Sequence, residues 1–197
     1  AASALPFTPL RRIIIEEDEF PTDQYIAQGL AELVPDVSLR FIPIETDLAA
    51  ALGPEIAVLL LSHVDYRTGI KRDMAGVNKL AKAQGVLVLW DLSHTTGAVA
   101  CDLSGSDADM AVGCTYKYLN GGPGAPAFAW VNPRHIKQAR QPLSGWMGHA
   151  NPFDFVRGYE PADGARRLVC GTPQVLSLSA LDEALKIWAD VDQTALF

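Results

Sequence analysis

The chain has 197 residues and a net charge of −7, with 49% hydrophobic and 20% charged residues. This composition excludes disordered, collagen-like and coiled-coil chains, which are either poor in apolar residues or strictly periodic. The acidic balance and the lack of a basic run argue against nucleic-acid binding, which needs a clustered Lys/Arg surface. The longest apolar run, Ile56–Ser62, is too short to cross a bilayer, so no membrane partner is expected.

The cysteine and histidine patterns restrict both the cellular setting and the kind of site. Cys101, Cys114 and Cys170 form no CxxC pair, and an odd number fits poorly with a secreted disulfide framework. Because disulfides are rare in the cytoplasm, we expect a cytoplasmic protein. The four histidines are scattered without an i, i+4 pair, so no metal site is predicted. No G-x-S-x-G motif supports a serine hydrolase.

Strand-like segments alternate with amphipathic segments along the first two-thirds of the chain. In chain order, the pattern predicts a strand at 12–15, a helix at 23–33, a strand at 38–42, a weak helix at 47–52, a strand at 56–62, a helix at 73–84, and strands at 86–90, 110–114 and 127–131. Thr22 or Asp23 is the expected N-cap of the first helix. Strand–helix–strand repetition predicts an α/β fold with a mostly parallel sheet flanked by helices.

The last third of the chain differs in composition. Residues 140–172 are rich in Pro, Gly, aromatic residues and Arg, and they show no clear period. Thr172 and Pro173 then open a predicted helix as its N-cap and first helical residue. The apolar stripe of this helix has little of its own domain left to pack on, so we expect a longer protein. We predict that residues 1–150 form part of a large domain and that residues 151–197 form a connecting segment with a long helix.

Polar side chains follow three of the predicted strands. Ser62 and His63 end one strand, residues 91–94 follow the next, and residues 115–117 follow the strand after that. Ligands of open parallel sheets bind outside the carboxyl ends of the strands. Each cluster alone is compatible with an ordinary loop, but three together predict a site at this edge of the sheet.

Asp91 and Lys117 carry the most specific chemistry of these clusters. An acid that ends the apolar run Val-Leu-Val-Leu-Trp needs a cationic or N–H partner, and a pyridinium nitrogen would serve. The alternative is an N-cap of a short helix at 93–97. Lys117 stands between two tyrosines before a glycine-rich turn, where partial desolvation would make its amine nucleophilic towards an aldehyde. The alternative is a solvated surface lysine.

Several segments, taken in chain order, carry a family resemblance. They are Phe20-Pro-Thr-Asp23, Ser62-His-Val, Trp90-Asp-Leu-Ser-His94, Gly113-Cys-Thr-Tyr-Lys-Tyr-Leu-Asn-Gly-Gly-Pro-Gly124, Pro142-Leu-Ser-Gly-Trp146 and Cys170-Gly-Thr172. Over about residues 11–190 the chain closely resembles kynureninase, a fold-type-I pyridoxal-phosphate enzyme of the class-V aminotransferase type. It departs from the family pattern at Asp65, where Asn is expected, and at residues 93–96, where Ser-His-Thr-Thr replaces Ala-His-Ser-Ala.

The resemblance implies the large cofactor-binding domain of the aspartate aminotransferase-like fold, with pyridoxal 5′-phosphate as the cofactor. Lys117 would form the internal aldimine, Asp91 would pair with the pyridinium nitrogen, and Phe20 would stack on the pyridine ring. Tyr116 is expected to act with Lys117 in catalysis, and both Ser62 and Tyr116 would reach the phosphate or its surroundings. The remaining residues that the resemblance implies at the cofactor are Pro21, Thr22, Asp23, His94, Trp146 and Thr172.

The implied reaction is hydrolysis of L-kynurenine to anthranilate and L-alanine, a step of tryptophan catabolism and NAD biosynthesis. Family members are homodimers with shared sites, so Trp146 and Thr172 are expected to line the neighbouring subunit's site. Two alternatives stay open: another fold-type-I lyase such as a cysteine desulfurase-like enzyme, and an inactive cofactor-domain fragment. The family's upstream phosphate-binding segment and its C-terminal small domain find no match in these residues, so the chain alone is expected to be inactive.

Overall fold

A computed structural model describes residues 11–193 and 195–196. Six strands are present in these ranges: β1 Arg12–Glu16, β2 Ser38–Ile42, β3 Ile56–Ser62, β4 Leu87–Asp91, β5 Met110–Cys114 and β6 Ala127–Val131. They form one sheet in the order β2-β1-β3-β4-β5-β6. The first five strands run parallel, and only β6 pairs antiparallel, with β5. The predicted α/β class with a mostly parallel sheet is confirmed.

Helices connect the strands and cover both faces of the sheet. The α-helices are α1 Pro21–Leu33, α2 Leu48–Ala51, α3 Met74–Ala83, α4 Pro133–Ile136 and α5 Val175–Lys186. Short 3₁₀ helices lie at Trp146–Gly148, Gly164–Leu168 and Ile187–Asp190. Among the described residues, no helix combines the length and apolar character needed to cross a membrane.

The central strands are apolar on both sides because the sheet is covered on both faces. All seven residues of β3 are buried. On one face, Leu59, Leu61 and Trp90 form a cluster to which α3 contributes Met74 and Ala81. On the other face, β1, β3 and β4 pack with Ala27 of α1. Such two-sided burial is typical of parallel sheets and leaves only the strand ends for polar chemistry.

Two predicted helix starts are wrong. Helix α1 begins at Pro21 with Phe20 as its N-cap, because the fixed φ of proline suits the first helical position. Thr22 and Asp23 therefore lie in its first turn rather than at its cap. Helix α5 begins at Val175, because Gln174 has ψ 79° and is not helical, so Pro173 lies before the helix. The short helix considered at 93–97 is a series of turns.

Asn78 of α3 accepts a hydrogen bond from the buried indole of Trp90. Its replacement should have a measurable effect on stability. Trp90 is fully buried, its Nε1 donates to Asn78 Oδ1 at 2.9 Å, and Asn78 Nδ2 donates to the carbonyl of Ser106. We expect Asn78→Ala to lower the unfolding free energy by about 1–3 kcal/mol, since it leaves a buried N–H unpaired. Urea denaturation measures this effect. The exposed neighbour variant Lys79→Ala should stay within about 0.5 kcal/mol of wild type, and equal losses in both variants would contradict the assignment.

Candidate active site

The carboxyl ends of four parallel strands bring the predicted polar segments together. Ser62 ends β3 and is paired in register with Asp91, which ends β4. Phe20 and Asp23 follow β1 at the start of α1, and the turn that carries Lys117 follows β5. Because parallel strands end at the same edge, segments far apart in sequence meet there.

Two glycines allow the lysine turn to lie against its neighbours. A Cβ on Gly121 would stand 2.9 Å from the Thr115 carbonyl oxygen, and this carbonyl accepts the Gly121 N–H. Gly97 has φ +87°, and a Cβ there would meet the Tyr118 backbone at 2.8 Å. The backbones of the loop after β4 and of the turn after β5 therefore lie in close contact, and this contact places Lys117 next to His94.

Lys117 and His94 form the central polar pair of this edge. Lys117 Nζ lies 2.9 Å from His94 Nε2, 5.4 Å from the centre of the Phe20 ring and 5.6 Å from that of Tyr116. Burial lowers the pKa of His94, and the nearby Lys117 charge lowers it further. The lowered pKa keeps the imidazole of His94 neutral at neutral pH, so its Nε2 can accept a hydrogen bond from the Lys117 amine.

Asp23 and Asp91 form a carboxyl pair beside the lysine. Asp91 is buried, and its Oδ1 accepts from Ser93 N at 2.8 Å and from Ser93 Oγ at 2.6 Å. Burial raises the pKa of Asp23 to about 7, and the charges of Asp91 and Glu19 add to this rise. Asp23 Oδ2 is buried without a hydrogen-bond partner. The pair therefore offers an unfilled acceptor to a donor that carries positive charge.

Glu19 lies at this edge of the sheet, although it is not among the predicted site residues. It is 5% exposed, and its two carboxylate oxygens accept Ser62 N at 2.6 Å and Ser62 Oγ at 2.5 Å. Ser62, expected at a phosphate, thus directs its hydroxyl to a carboxylate. In sequence, Glu19 lies in the acidic run Glu-Glu-Asp-Glu, which resembles a solvated surface segment. Only the position of this run after a buried strand could have indicated otherwise.

An aromatic series borders the lysine pair. The Phe20 ring contacts Tyr66 edge-on at 5.2 Å, Tyr66 lies 6.2 Å from His94, and His94 lies 6.4 Å from Tyr118. Tyr66 and Tyr118 were not predicted as site residues. Both tyrosines are distant from Phe20 in sequence, and the aromatic series forms only because the strand ends meet. The sequence therefore does not indicate it. The series provides flat apolar surfaces beside a cationic amine and carboxylates.

The remaining predicted residues lie at the margin of this cluster or away from it. Pro21 and Thr22 are exposed in the first turn of α1. Trp146 stacks on Phe155 at 6.3 Å and lines a separate cavity of about 360 Å³. Thr172 is exposed before α5. Within the described part of the chain, neither Trp146 nor Thr172 shares a hydrogen bond or ring contact with Lys117.

The donor set suits an aromatic cation rather than a metal ion. In the ranges that the structure describes, no group of three or more His, Cys, Asp or Glu side chains could hold a metal. The orphaned oxygen of Asp23 and the buried Asp91 instead suit a ring N–H that bears positive charge. The Lys117 amine contacts His94 and lies near the Phe20 ring, so it is an amine placed to react with a carbonyl group of a ligand bound there.

Comparisons with known proteins support the predicted resemblance to kynureninase. The chain is 53% identical over 195 residues to a protein named kynureninase from Deinococcus radiodurans, covering 99% of this chain and 47% of that protein. It is 50% identical over 190 residues to a kynureninase from Burkholderia mallei, covering 95% of this chain and 46% of that protein. The chain thus spans about half the length of the curated relatives it matches.

Solved structures share the fold at low sequence identity. The cystine C-S lyase C-DES, in complex with cysteine persulfide, matches with a TM-score of 0.81 and 20% identity, over 98% of this chain and 55% of its own. The cysteine desulfurase CsdA from Escherichia coli matches with a TM-score of 0.77 and 20% identity, over 94% of this chain and 47% of its own. These similarities confirm the fold. The family model of class-V aminotransferases matches residues 2–196, and the chain belongs to this family.

Proposed function

We propose that this chain is the cofactor-binding part of a kynureninase, which hydrolyses L-kynurenine to anthranilate and L-alanine with pyridoxal 5′-phosphate. The observation that carries the proposal is the Lys117–His94 pair beside the half-buried carboxyl of Asp23 and the buried carboxyl of Asp91. Relatives named kynureninase, 50–53% identical over 95–99% of this chain, support the choice of reaction. A C-DES mutant with glycine covalently linked to its PLP cofactor shares the fold with a TM-score of 0.78 and supports the choice of cofactor.

The residues present fit this cofactor. When bound, pyridoxal phosphate supplies the electron sink that makes bonds near the substrate's amino carbon breakable. Asp91 and Asp23 would hold its ring nitrogen, and Phe20 would lie against its ring. The residues that we propose to complete the cofactor site are Pro21, Thr22, Ser62, His94, Tyr116, Lys117, Trp146 and Thr172.

The proposed reaction depends on the protonation and orientation of the Lys117 amine. Neutral His94 can accept a hydrogen bond from Lys117 Nζ at Nε2, which orients the amine. The same amine, once free, is the base that we propose to take the proton from the substrate's amino carbon. Tyr116, with its ring centre 5.6 Å from Lys117 Nζ, is the second proposed catalytic residue.

The proposal includes a homodimer in the cytoplasm, with Trp146 and Thr172 reaching the neighbouring subunit's site. Large apolar side chains around Trp146 are exposed, including Leu143 at 74%, Phe153 at 71% and Phe155 at 79%. Contiguous exposed apolar surface is typical of protein interfaces. Cys101, Cys114 and Cys170 are free thiols, a state that a reducing setting maintains.

The covalent link gives the first test of this site. We expect the full-length protein with pyridoxal phosphate to absorb visible light as an imine, because Lys117 holds the reactive amine. Borohydride reduction should fix the label on the peptide that contains Lys117, as peptide mass mapping would show. Lys117→Ala should lose the label, whereas Lys79→Ala should keep it. Label on Lys71, Lys79 or Lys137 would overturn the assignment.

The raised pKa of Asp23 gives a pH-dependent test in the cofactor-free chain. Burial raises that pKa from 3.8 to about 7, so between these values the folded chain holds a proton that the unfolded chain releases. This contribution to stability is present at low pH and is lost as the pH rises through about 7. We therefore expect Asp23→Asn to melt at a higher temperature than wild type at pH 8, with the difference shrinking towards pH 5.

The matched control for that measurement is Glu32→Gln, an exposed carboxylate on the same helix α1. Its melting temperature should differ from wild type by the same amount at both pH values. Glu16 and Glu19 are buried acids present in every variant, so the comparison is made between variants at each pH. An Asp23→Asn difference that does not change with pH would contradict a buried, protonated Asp23.

Product analysis tests the reaction itself. We expect the full-length protein to release anthranilate from L-kynurenine, and the isolated 197-residue chain to release none, since it spans about half of its relatives. Fluorescence of anthranilate measures this release, with Lys117→Ala as the inactive control. Release of sulfide from cysteine without anthranilate would instead favour a cysteine desulfurase-like enzyme, which shares the fold.

Substrate choice follows from the same assay. In the family, Asn at the position matched by Thr172 accompanies a preference for 3-hydroxykynurenine, and threonine offers a smaller and less polar partner. A ring hydroxyl left unpaired costs about 1–3 kcal/mol, which is roughly 5- to 150-fold in kcat/KM. We expect kcat/KM to be roughly 5- to 150-fold higher for L-kynurenine than for 3-hydroxykynurenine. Equal values of kcat/KM for the two substrates would contradict this expectation.

A further inference from the structure

Two arginine side chains converge on one backbone carbonyl just after the short helix α4. Arg167 Nη1 donates to the Lys137 carbonyl oxygen at 2.7 Å, and Arg140 Nη1 donates to the same oxygen at 3.0 Å. The two guanidinium groups therefore lie side by side, although they carry like charges. Their repulsion raises the free energy of the folded chain unless a negative charge compensates for it.

Arg167 is the buried member of this pair. It is 6% exposed, and its Nε donates to the Ala162 carbonyl oxygen at 3.0 Å. Both of its acceptors are neutral carbonyl oxygens, and Arg140 Nη1 also donates only to carbonyls, those of Lys137 and Ala139. Within residues 11–193 and 195–196, neither arginine forms an ion pair. A buried charge is costly without a partner of opposite sign, so this pair lacks its counter-charge.

The segment that carries the pair is locally basic in an acidic chain. The chain has a net charge of −7, but residues 137–167 contain five basic and three acidic side chains. The basic residues are Lys137, Arg140, Arg157, Arg166 and Arg167, and the acidic ones are Asp154, Glu160 and Asp163. The positive charge of the arginine pair is therefore a local excess that favours an anion.

A cavity of about 170 Å³ opens beside the two guanidinium groups. Arg140 and Arg167 line it together with Gln141, Ser144, Tyr159 and two apolar residues. In the part of the chain that the structure describes, no acidic side chain lines this cavity. The cavity thus combines two positive charges with space for a ligand and offers no carboxylate to neutralise them.

The buried guanidinium group has donors left for such a ligand. A guanidinium carries five N–H groups, and the two hydrogen bonds of the Arg167 side chain use only Nε and Nη1. Among the described residues, the fully enclosed side-chain atoms without a partner are Asp23 Oδ2 and Trp188 Nε1. Arg167 Nη2 has no partner there and is not one of these enclosed atoms. It therefore borders open space, which the cavity provides.

We propose that Arg140 and Arg167 form a binding site for a phosphate-sized oxyanion. Guanidinium N–H groups match phosphate oxygens in pairs, and one dianion compensates for both positive charges. The cavity is smaller than the about 300–1,000 Å³ of pockets for drug-sized ligands, so it suits an inorganic ion better than a whole metabolite. None of its lining residues is proposed for the cofactor, and the inference does not rest on the proposed function.

Calorimetric titration of the full-length protein with inorganic phosphate tests this site. The protein is first saturated with pyridoxal 5′-phosphate and freed of excess cofactor by gel filtration, so that any cofactor phosphate site is filled. Phosphate then replaces chloride at constant ionic strength and pH 8. We expect one phosphate to bind per chain. Wild-type protein that binds no phosphate would overturn the proposal, as would be found if an acidic side chain from the rest of the full-length chain filled the cavity.

Three arginine variants assign the bound phosphate to the cavity. We expect Arg167→Gln to weaken phosphate binding at least about 10-fold, the effect of one hydrogen bond to a charged group. Arg140→Gln should weaken it at least about 3-fold, since this exposed charge is screened by solvent. The matched control is Arg157→Gln, which removes an exposed positive charge from the same segment without lining the cavity, and it should change the dissociation constant less than 2-fold.

The variants also give the results that would overturn the site. Phosphate binding that is unchanged in Arg140→Gln, or weakened equally in Arg140→Gln and Arg157→Gln, would show that the pair forms no specific site. If Arg167→Gln does not fold, the comparison of Arg140→Gln with Arg157→Gln decides by itself. A protein that retains no pyridoxal 5′-phosphate would contradict the proposed function alone, because the phosphate titration compares each variant with wild type.

Discussion

The parallel register of β3 and β4 is the constraint on which the site depends. It sets Ser62 beside Asp91 at the buried ends of two strands, so polar groups stand at the border of the hydrophobic core. Charges in such a position need partners. Glu19, Asp23 and Asp91 all gather there; burial raises the pKa of Asp23 to about 7, and the charges of Asp91 and Glu19 add to this rise. The fold thus creates a concentration of negative charge that a cationic ring would relieve.

The lysine side of the site complements this charge. Lys117 is set by a tight turn after β5, and the neutral His94 beside it can accept a hydrogen bond from its amine. In the proposed function the carboxyls would bind and orient a cationic ring, and the amine would react. Removing one member would change the protonation of the others, because the groups share a poorly solvated environment.

Much of the fold could be predicted from sequence because each strand is a local pattern. The sequence predicts all six strands, with bounds within one residue, and it predicts a site at the segments after β3, β4 and β5, which the structure brings to one edge of the sheet. Helix starts were less predictable, since Pro21 fixes the first turn of α1 while Pro173 lies before α5. Glu19 and Tyr66 could not be predicted, because their partners are distant in sequence and an acidic run normally indicates solvent. The division at residue 150 stays a prediction.

The central claim is that the Asp23–Asp91 pair holds a protonated ring nitrogen. The most direct measurement is the ¹⁵N NMR spectrum of the full-length protein bound to pyridoxal 5′-phosphate labelled at its ring nitrogen. The account predicts the chemical shift of a pyridinium at pH 8, because the carboxyl pair stabilises the charged form. It also predicts a shift towards neutral pyridine in Asp91→Asn. A neutral pyridine resonance in the wild-type protein would contradict the account.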